Sequence, residues 1–181
     1  MSDFVLVTSS FVDAFRHSFE YHKRLADRAT AQLSDEKLRL SLDSNTNSIA
    51  VIMKHVAGNL VSRWSDFLAT DGEKPWRNRD DEFIDTFTSR EDLFKFWERG
   101  WSVLFGSLGN LNPQELLRTV FVRGEPHSVP LALSRSLAHT AYHVGQIVQT
   151  ARVLAQERWE TLTIPRGQSE QFNEQMRREE A

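Results

Sequence analysis

His139 and His143 stand four residues apart in a segment, residues 131–160, that holds one glycine and no proline. At about 100° per residue an α-helix puts both imidazoles on one face, one above the other. Such a pair can reach one ion. The apolar side of the same stretch is Leu133, Leu137, Thr140, Val144, Ile147, Val148 and Ala151, and the histidines fall on its flank with Ser136, Gln146 and Thr150. A second stretch repeats the arrangement. Ile49, Met53, Val56 and Leu60 form an apolar side, and His55 lies beside it in line with Ser48, Asn59, Ser62 and Asp66. Three histidines from two helices would make a facial site with an open position for water or substrate. Spacing alone does not make the two helices neighbours, and a histidine on a helix flank is often only a hydrogen-bonded surface residue. His17, His22 and His127 have no helical partner and are read as non-ligands, with His22 the best reserve.

The elements that must carry these residues are helices. Residues 9–68 contain one glycine, Gly58, and no proline, which favours helix because those two types are the strongest breakers. A first helix is expected over residues 10–32, with the stripe Phe11, Phe15, Phe19, His22 and Leu25. Ser34 to Lys37 reads as a capped short turn. A second helix is expected over 46–68, with Phe67 on its apolar side. Residues 69–88 read as a long irregular connection. A third helix opens at Ser89, where Asp92 follows at capping-box spacing, and runs to 109 with Leu93, Trp97, Trp101, Leu104 and Leu108 inward. Two β-prone runs around Arg123-Gly124-Glu125-Pro126 within residues 119–130 read as a hairpin. A fourth helix, residues 130–159, has Pro130 at its start, where a missing N–H costs nothing. Residues 168–181 are polar and are expected to fray or pack loosely. The fold class is all-α, one domain over 1–181, with a small β-hairpin before the last long helix.

Composition removes other classes. With no cysteine among 181 residues, disulfides, zinc ribbons, iron–sulfur clusters and a thiol nucleophile are excluded. Any metal must be held by His, Asp or Glu. The 22 basic and 25 acidic residues leave a net charge of −3, which argues against binding to nucleic acid. No apolar run approaches the ~18 residues a membrane span needs. The start, Met1-Ser2-Asp3-Phe4, carries an acid where a signal peptide has a base. A cytoplasmic location is therefore expected.

Two segments resemble the signatures of the DinB/YfiT-like metal-binding four-helix-bundle superfamily. One is Ser48-Ile49-Ala50-Val51-Ile52-Met53-Lys54-His55-Val56-Ala57-Gly58-Asn59. The other is Leu137-Ala138-His139-Thr140-Ala141-Tyr142-His143-Val144-Gly145-Gln146-Ile147. The order of helices and hairpin is similar too, so the resemblance spans nearly the whole chain. The stretches 64–68, 72–80 and 164–169 resemble a subgroup known only as a domain of unknown function. The resemblance implies an up-down-down-up four-helix bundle and a homodimer. It implies His55, His139 and His143 as ligands of one divalent metal, zinc or nickel. Characterised relatives include metal-dependent transferases and isomerases that use a low-molecular-weight thiol such as bacillithiol, mycothiol or glutathione. The expected partners are thus a small-molecule substrate and such a thiol, with no nucleic acid and no membrane.

Physical chemistry is compatible with that role. A cation held by three histidines leaves a position where a thiol or water is stabilised in its ionised form. The thiol must come from a cosubstrate. Asn59 and Gln146 share the ligand stripe and could orient ligands or substrate, or be ordinary flank amides. Arg63, Arg77 and Arg79 could meet an anionic cosubstrate, with residues 76–83 as a lid. The alternative for that stretch is surface salt bridges around an anchoring tryptophan. Trp97 and Trp101 read as core; Trp64, Trp76 and Trp159 read as packing for the loop and tail. The function class is a metal-dependent thiol transferase or hydrolase, against a non-catalytic metal- or ligand-binding stress-response protein with a closed metal site.

Overall fold

The computed structural model describes residues 3–179. These residues are mostly helical, with six α-helices and one two-stranded hairpin before a long helix. None of the helices is long and apolar enough to cross a membrane.

Helix α1, Asp3–Thr30, begins earlier than the apolar stripe required. Residues 3–9 contain neither glycine nor proline, so nothing stops the helix extending. Helix α2, Asp35–Arg39, starts at Ser34, whose side chain accepts from the Lys37 amide. Helix α3, Ile49–Trp64, is shorter than expected at both ends. At its start Ser48 is extended, and its Oγ accepts from the Val51 N–H at 3.3 Å. This is an N-cap that occupies one of the orphan amides of the first turn. At its end Ser65 is extended and Asp66 turns to φ 50°, so Phe67 leaves the helical stripe. Phe67 still packs on Trp64, with ring centroids 4.5 Å apart.

Helix α4, Arg90–Asn110, is capped by Ser89, which accepts from the Asp92 amide at 3.1 Å. Strands β1, Thr119–Val122, and β2, Glu125–Ser128, pair antiparallel with Val120 opposite His127. Arg123 at φ 58° and Gly124 at φ 76° connect them. Two central residues with positive φ match the right-handed twist of the strands. Helix α5, Val129–Ala155, follows at once with Ser128 as N-cap and Pro130 in its first turn. It stops short of Trp159 because Gln156 takes φ 55°, and a single 3₁₀ turn, Gln156–Arg158, follows. The C-terminal stretch Ser169–Glu179 is a helix, α6. Residues 169–178 are exposed throughout.

Helix α3 is the centre of the packing. It lies along α4, touches α5, and is buried at thirteen of its sixteen positions. Helix α1 lies along α5. Close approach of α3 and α4 depends on Gly100: a Cβ there would sit 2.8 Å from the Ala57 Cα. Around that contact Trp97 and Trp101 meet edge-on at 5.3 Å, and Phe19 of α1 meets both Trp101 and Trp64 at 6.5 Å. Trp97 and Trp101 are core as expected. Trp64 is core as well, 2% exposed, rather than packing for loop or tail. Its Nε1 donates to Ser136 Oγ at 3.2 Å, tying α3 to α5.

The long connection between α3 and α4 is pinned at three places. Ser62 Oγ donates to the Gly72 carbonyl at 2.6 Å. The Asp71 carboxylate accepts from the Arg123 and Gly124 amides at 2.8 and 2.6 Å, which joins the loop to the hairpin. Lys54 of α3 donates to the Asp81 and Ile84 carbonyls at 2.7 and 2.8 Å. The last contact holds the 3₁₀ turn Asp80–Phe83 against α3.

Candidate metal centre

His55 projects from α3, and His139 and His143 project from α5. The α3–α5 contact that spacing left open therefore exists, and it brings the three imidazoles together. One ring nitrogen from each lies within 4.8 Å of the others. His55 Nε2 and His139 Nε2 are 3.1 Å apart. Two nitrogens each about 2.1 Å from one cation would be this far apart at an angle of about 95°. Two imidazole lone pairs facing each other at that distance repel unless a proton or a cation lies between them.

Two of the other ring nitrogens are held so that the lone pairs of their rings face inward. His55 Nδ1 donates to Glu82 Oε2 at 2.9 Å, and His143 Nδ1 donates to Gln146 Oε1 at 2.7 Å. Each bond fixes the tautomer with Nε2 unprotonated. The carboxylate behind His55 also fixes the orientation of its ring. Glu82 is itself held by Arg77, whose Nε and Nη2 meet its two oxygens at 2.7 and 2.9 Å. Burial would raise the Glu82 carboxyl, but the hydrogen bonds from His55 and Arg77 and the charge of Arg77 outweigh it and hold it below its usual range.

The site also keeps His139 and His143 neutral. Burial, then the charges of His143, His55, Arg77 and Arg63, push His139 down to about 3. Burial lowers His143 too, against the opposing hydrogen bond to Gln146. Neutral imidazole is the form that binds a metal. The donor set thus fits a divalent ion: three converging imidazole nitrogens, two of the rings with fixed tautomers. Among the described residues no fourth histidine or carboxylate joins the group. His22, whose Nδ1 meets the Ser18 carbonyl within α1, and His127, whose Nδ1 meets the Glu125 carbonyl in β2, lie outside the group.

Beside the three histidines lies a cavity of about 190 Å³. His55 and His139 line it, as do Phe121, Val122 and Arg123 of the hairpin. Asn59, which shares the ligand stripe, and Arg63 line it. Gln146 is not in the cavity wall; it serves His143 instead. Arg77 and Arg79 also line it, and both make salt bridges, Arg77 to Glu82 and Arg79 to Glu73. The loop therefore has both features that the sequence offered as alternatives, arginines at the cavity and ion pairs. The anchoring tryptophan is not there, since Trp76 is 59% exposed.

Glu82 is the residue that sequence reasoning missed. It sits in the run Asp80-Asp81-Glu82, where nothing sets one acid apart. A signal did exist in α3. Gly58, one turn after His55, leaves the space that Glu82 occupies: a Cβ at Gly58 would lie 2.7 Å from Glu82 Oε1. A lone glycine on the ligand face of a buried helix marks a close approach.

Residues 6–168 match the model of the family described as "Protein of unknown function (DUF1572)", and the chain belongs to that family. No curated protein and no solved structure matches it significantly.

Proposed function

Starting from membership of a family without an assigned activity, we propose that this chain is a metal-dependent enzyme of DinB/YfiT-like architecture. In this reading α1, α3, α4 and α5 form an up-down-down-up four-helix bundle, which acts as a homodimer. His55, His139 and His143 hold one divalent ion, zinc or nickel. The reaction is transfer of a low-molecular-weight thiol to an electrophilic carbon, or the related attack by water. A bound divalent ion would supply Lewis acidity, stabilising the ionised form of a thiol or water in the open position.

The observation that carries this reading is the convergence of three histidines with Glu82 and Gln146 behind two of them. A flank histidine of no function needs no buried carboxylate to fix its tautomer. The absence of cysteine means that the thiol comes from a cosubstrate. The chain's own residues have clear parts. Glu82 orients His55 and Arg77 orients Glu82. Asn59 lies on the cavity wall one helical turn from His55, where its amide can orient what enters. Phe83 stacks on the His55 ring at 4.9 Å and shields that ligand from water.

The test is elemental analysis of untagged protein beside His55→Ala, His139→Ala and His143→Ala. About one zinc or nickel per chain, lost in each variant while circular dichroism is unchanged, supports the centre. Thiol-dependent consumption of an electrophile by the metal-loaded protein supports the activity. No metal uptake by wild type after incubation with zinc and nickel ends the enzyme reading. A stoichiometric metal with no turnover across thiols and electrophiles leaves the non-catalytic binding protein.

A further inference from the structure

The cavity is far more basic than the protein around it. Five arginines line it, residues 63, 77, 79, 123 and 135, and no carboxylate does, in a chain of net charge −3. Two carboxylates behind the wall neutralise part of this charge. Glu82 takes Arg77, and Glu73 takes Arg79 with Arg123 further off at 3.5 Å. Arg63 and Arg135 have no ion pair among the described residues. Two guanidinium nitrogens are also left over. Arg63 Nη1 and Arg77 Nη1 are buried with no hydrogen-bond partner among the described residues. The Arg77 side chain is only 2% exposed. A buried, charged N–H without an acceptor is costly, and such groups normally have one.

Local construction makes this arrangement deliberate rather than a loose end. The Arg63 guanidinium lies over Gly72, where a Cβ would come within 2.6 Å of Nη1. That glycine is fixed by Ser62 and by the Phe121 carbonyl, which accepts from its N–H at 3.1 Å. Arg63 is lowered from its ordinary value first by burial and then by the charge of Arg77. The two cations thus repel each other across a space that an anion would stabilise. In the deep part of the cavity two guanidinium groups face one carboxylate, so the excess is a single positive charge. Much of the remaining wall is apolar, with Trp64, Phe67 and Phe121, beside the polar Asn59 and Ser136. The volume of about 190 Å³ is below the range of about 300–1,000 Å³ typical of drug-sized ligands.

We propose that this cavity binds a small organic carboxylate, its carboxylate accepting from Arg63 Nη1 and Arg77 Nη1 and its apolar body lying against Trp64, Phe67 and Phe121. The opposite end of such a ligand reaches His55 and His139. Arg123 and Arg135 at the exposed side draw the anion in, since a cleft lined by one sign of charge concentrates the opposite ion. The assignment rests on reading this cavity as the substrate entrance of the three-histidine centre, and it names the substrate class for that centre.

Calorimetric titration of the whole chain tests it, with phenylacetate, phenylacetamide and phenyl phosphate as probes. The protein is used both stripped of metal by chelator and loaded with zinc. Phenylacetate is expected to bind saturably in both states, and the neutral amide not to bind. Arg63→Gln should weaken the acid at least tenfold, and Arg135→Gln about threefold. Arg99→Gln on exposed α4 should leave binding unchanged. Arg135 is exposed, so its variant folds even where loss of Arg63 disturbs the loop; circular dichroism and the melting midpoint check both. Equal binding of acid and amide, acid binding unchanged in both cavity variants, or binding of the phosphate alone overturns the proposal. Acid binding without any metal uptake removes the three-histidine reading and keeps the anion site. Metal uptake without acid binding does the reverse.

Discussion

His55 Nδ1 and Glu82 Oε2 are 2.9 Å apart, although the two residues are separated by 27 positions and lie on different kinds of structure. One is in the middle of a buried helix and the other in a single 3₁₀ turn of a long loop. The bond holds because the Lys54 ammonium grips the loop carbonyls on one side and Arg77 grips the carboxylate on the other. It makes the loop part of the three-histidine cluster.

Glu82→Gln should weaken metal binding about tenfold to a hundredfold, the usual cost of losing a carboxylate behind a ligand histidine. The amide keeps one accepting oxygen but turns an NH2 toward an N–H donor and leaves the buried Arg77 without its ion pair, so the melting midpoint of metal-free protein should fall as well. Competition with a chromophoric chelator measures the affinity. Wild-type affinity in this variant would show that Glu82 only anchors the loop.

Gly58→Ala separates stability from the site. Alanine is favoured over glycine in a helix interior by about 1 kcal/mol. Its Cβ would meet Glu82 Oε1 at 2.7 Å, the far end of a side chain that can move. The variant should therefore fold at least nearly as well as wild type while binding metal more weakly. Thermal melts and chelator competition read the two effects. Unchanged metal affinity would mean that Glu82 has no need of its observed position.

Gly100→Ala should behave in the opposite way. Here the new Cβ meets the Ala57 backbone at 2.8 Å, which cannot swing aside. Helices α3 and α4 must separate, at a cost of about 1–3 kcal/mol for an overpacked core. Urea denaturation should show that loss. A midpoint equal to or above wild type would mean that the helix contact is slack.

Acid should destabilise the metal-free protein. His139 has an unfolded value near 6.5 and is pushed down to about 3 in the fold, and His143 is lowered as well. Between those values the unfolded chain binds more protons, so stability is full above about pH 6.5 and falls as pH drops toward 3. Glu82, also lowered, adds a loss of the same sign below its usual range. Urea midpoints at about pH 7.5 and about pH 5 should differ, and His139→Gln should reduce the difference. Equal midpoints at the two pH values would contradict the neutral-histidine environment.

The helices were legible because their signals are local. Ser48, Ser89 and Ser128 cap α3, α4 and α5 with their own side chains, and a cap is written within four residues of sequence. The hairpin was legible for the same reason, since Arg123-Gly124 supplies both positive φ values. Helix ends were less so. Asp66 and Gln156 leave the helical region with φ near +50°, and neither residue type announces that. The start of α1 has no breaker to mark it, and residues 169–179 offer only Phe172 and Met176 as an apolar face.

For the candidate site, sequence by itself determined that His139 and His143 share a helix face, that His55 flanks a second apolar helix, and that no cysteine can compete for a metal. These follow from helical period and composition. Tertiary structure alone decided that α3 and α5 touch so that three nitrogens converge, that Glu82 rather than Asp80 or Asp81 stands behind His55, and that five arginines surround one cavity. Those facts depend on which loop carbonyls Lys54 reaches and on the hairpin closing over Asp71. Such contacts join residues tens of positions apart, where spacing in the chain carries no distance in space.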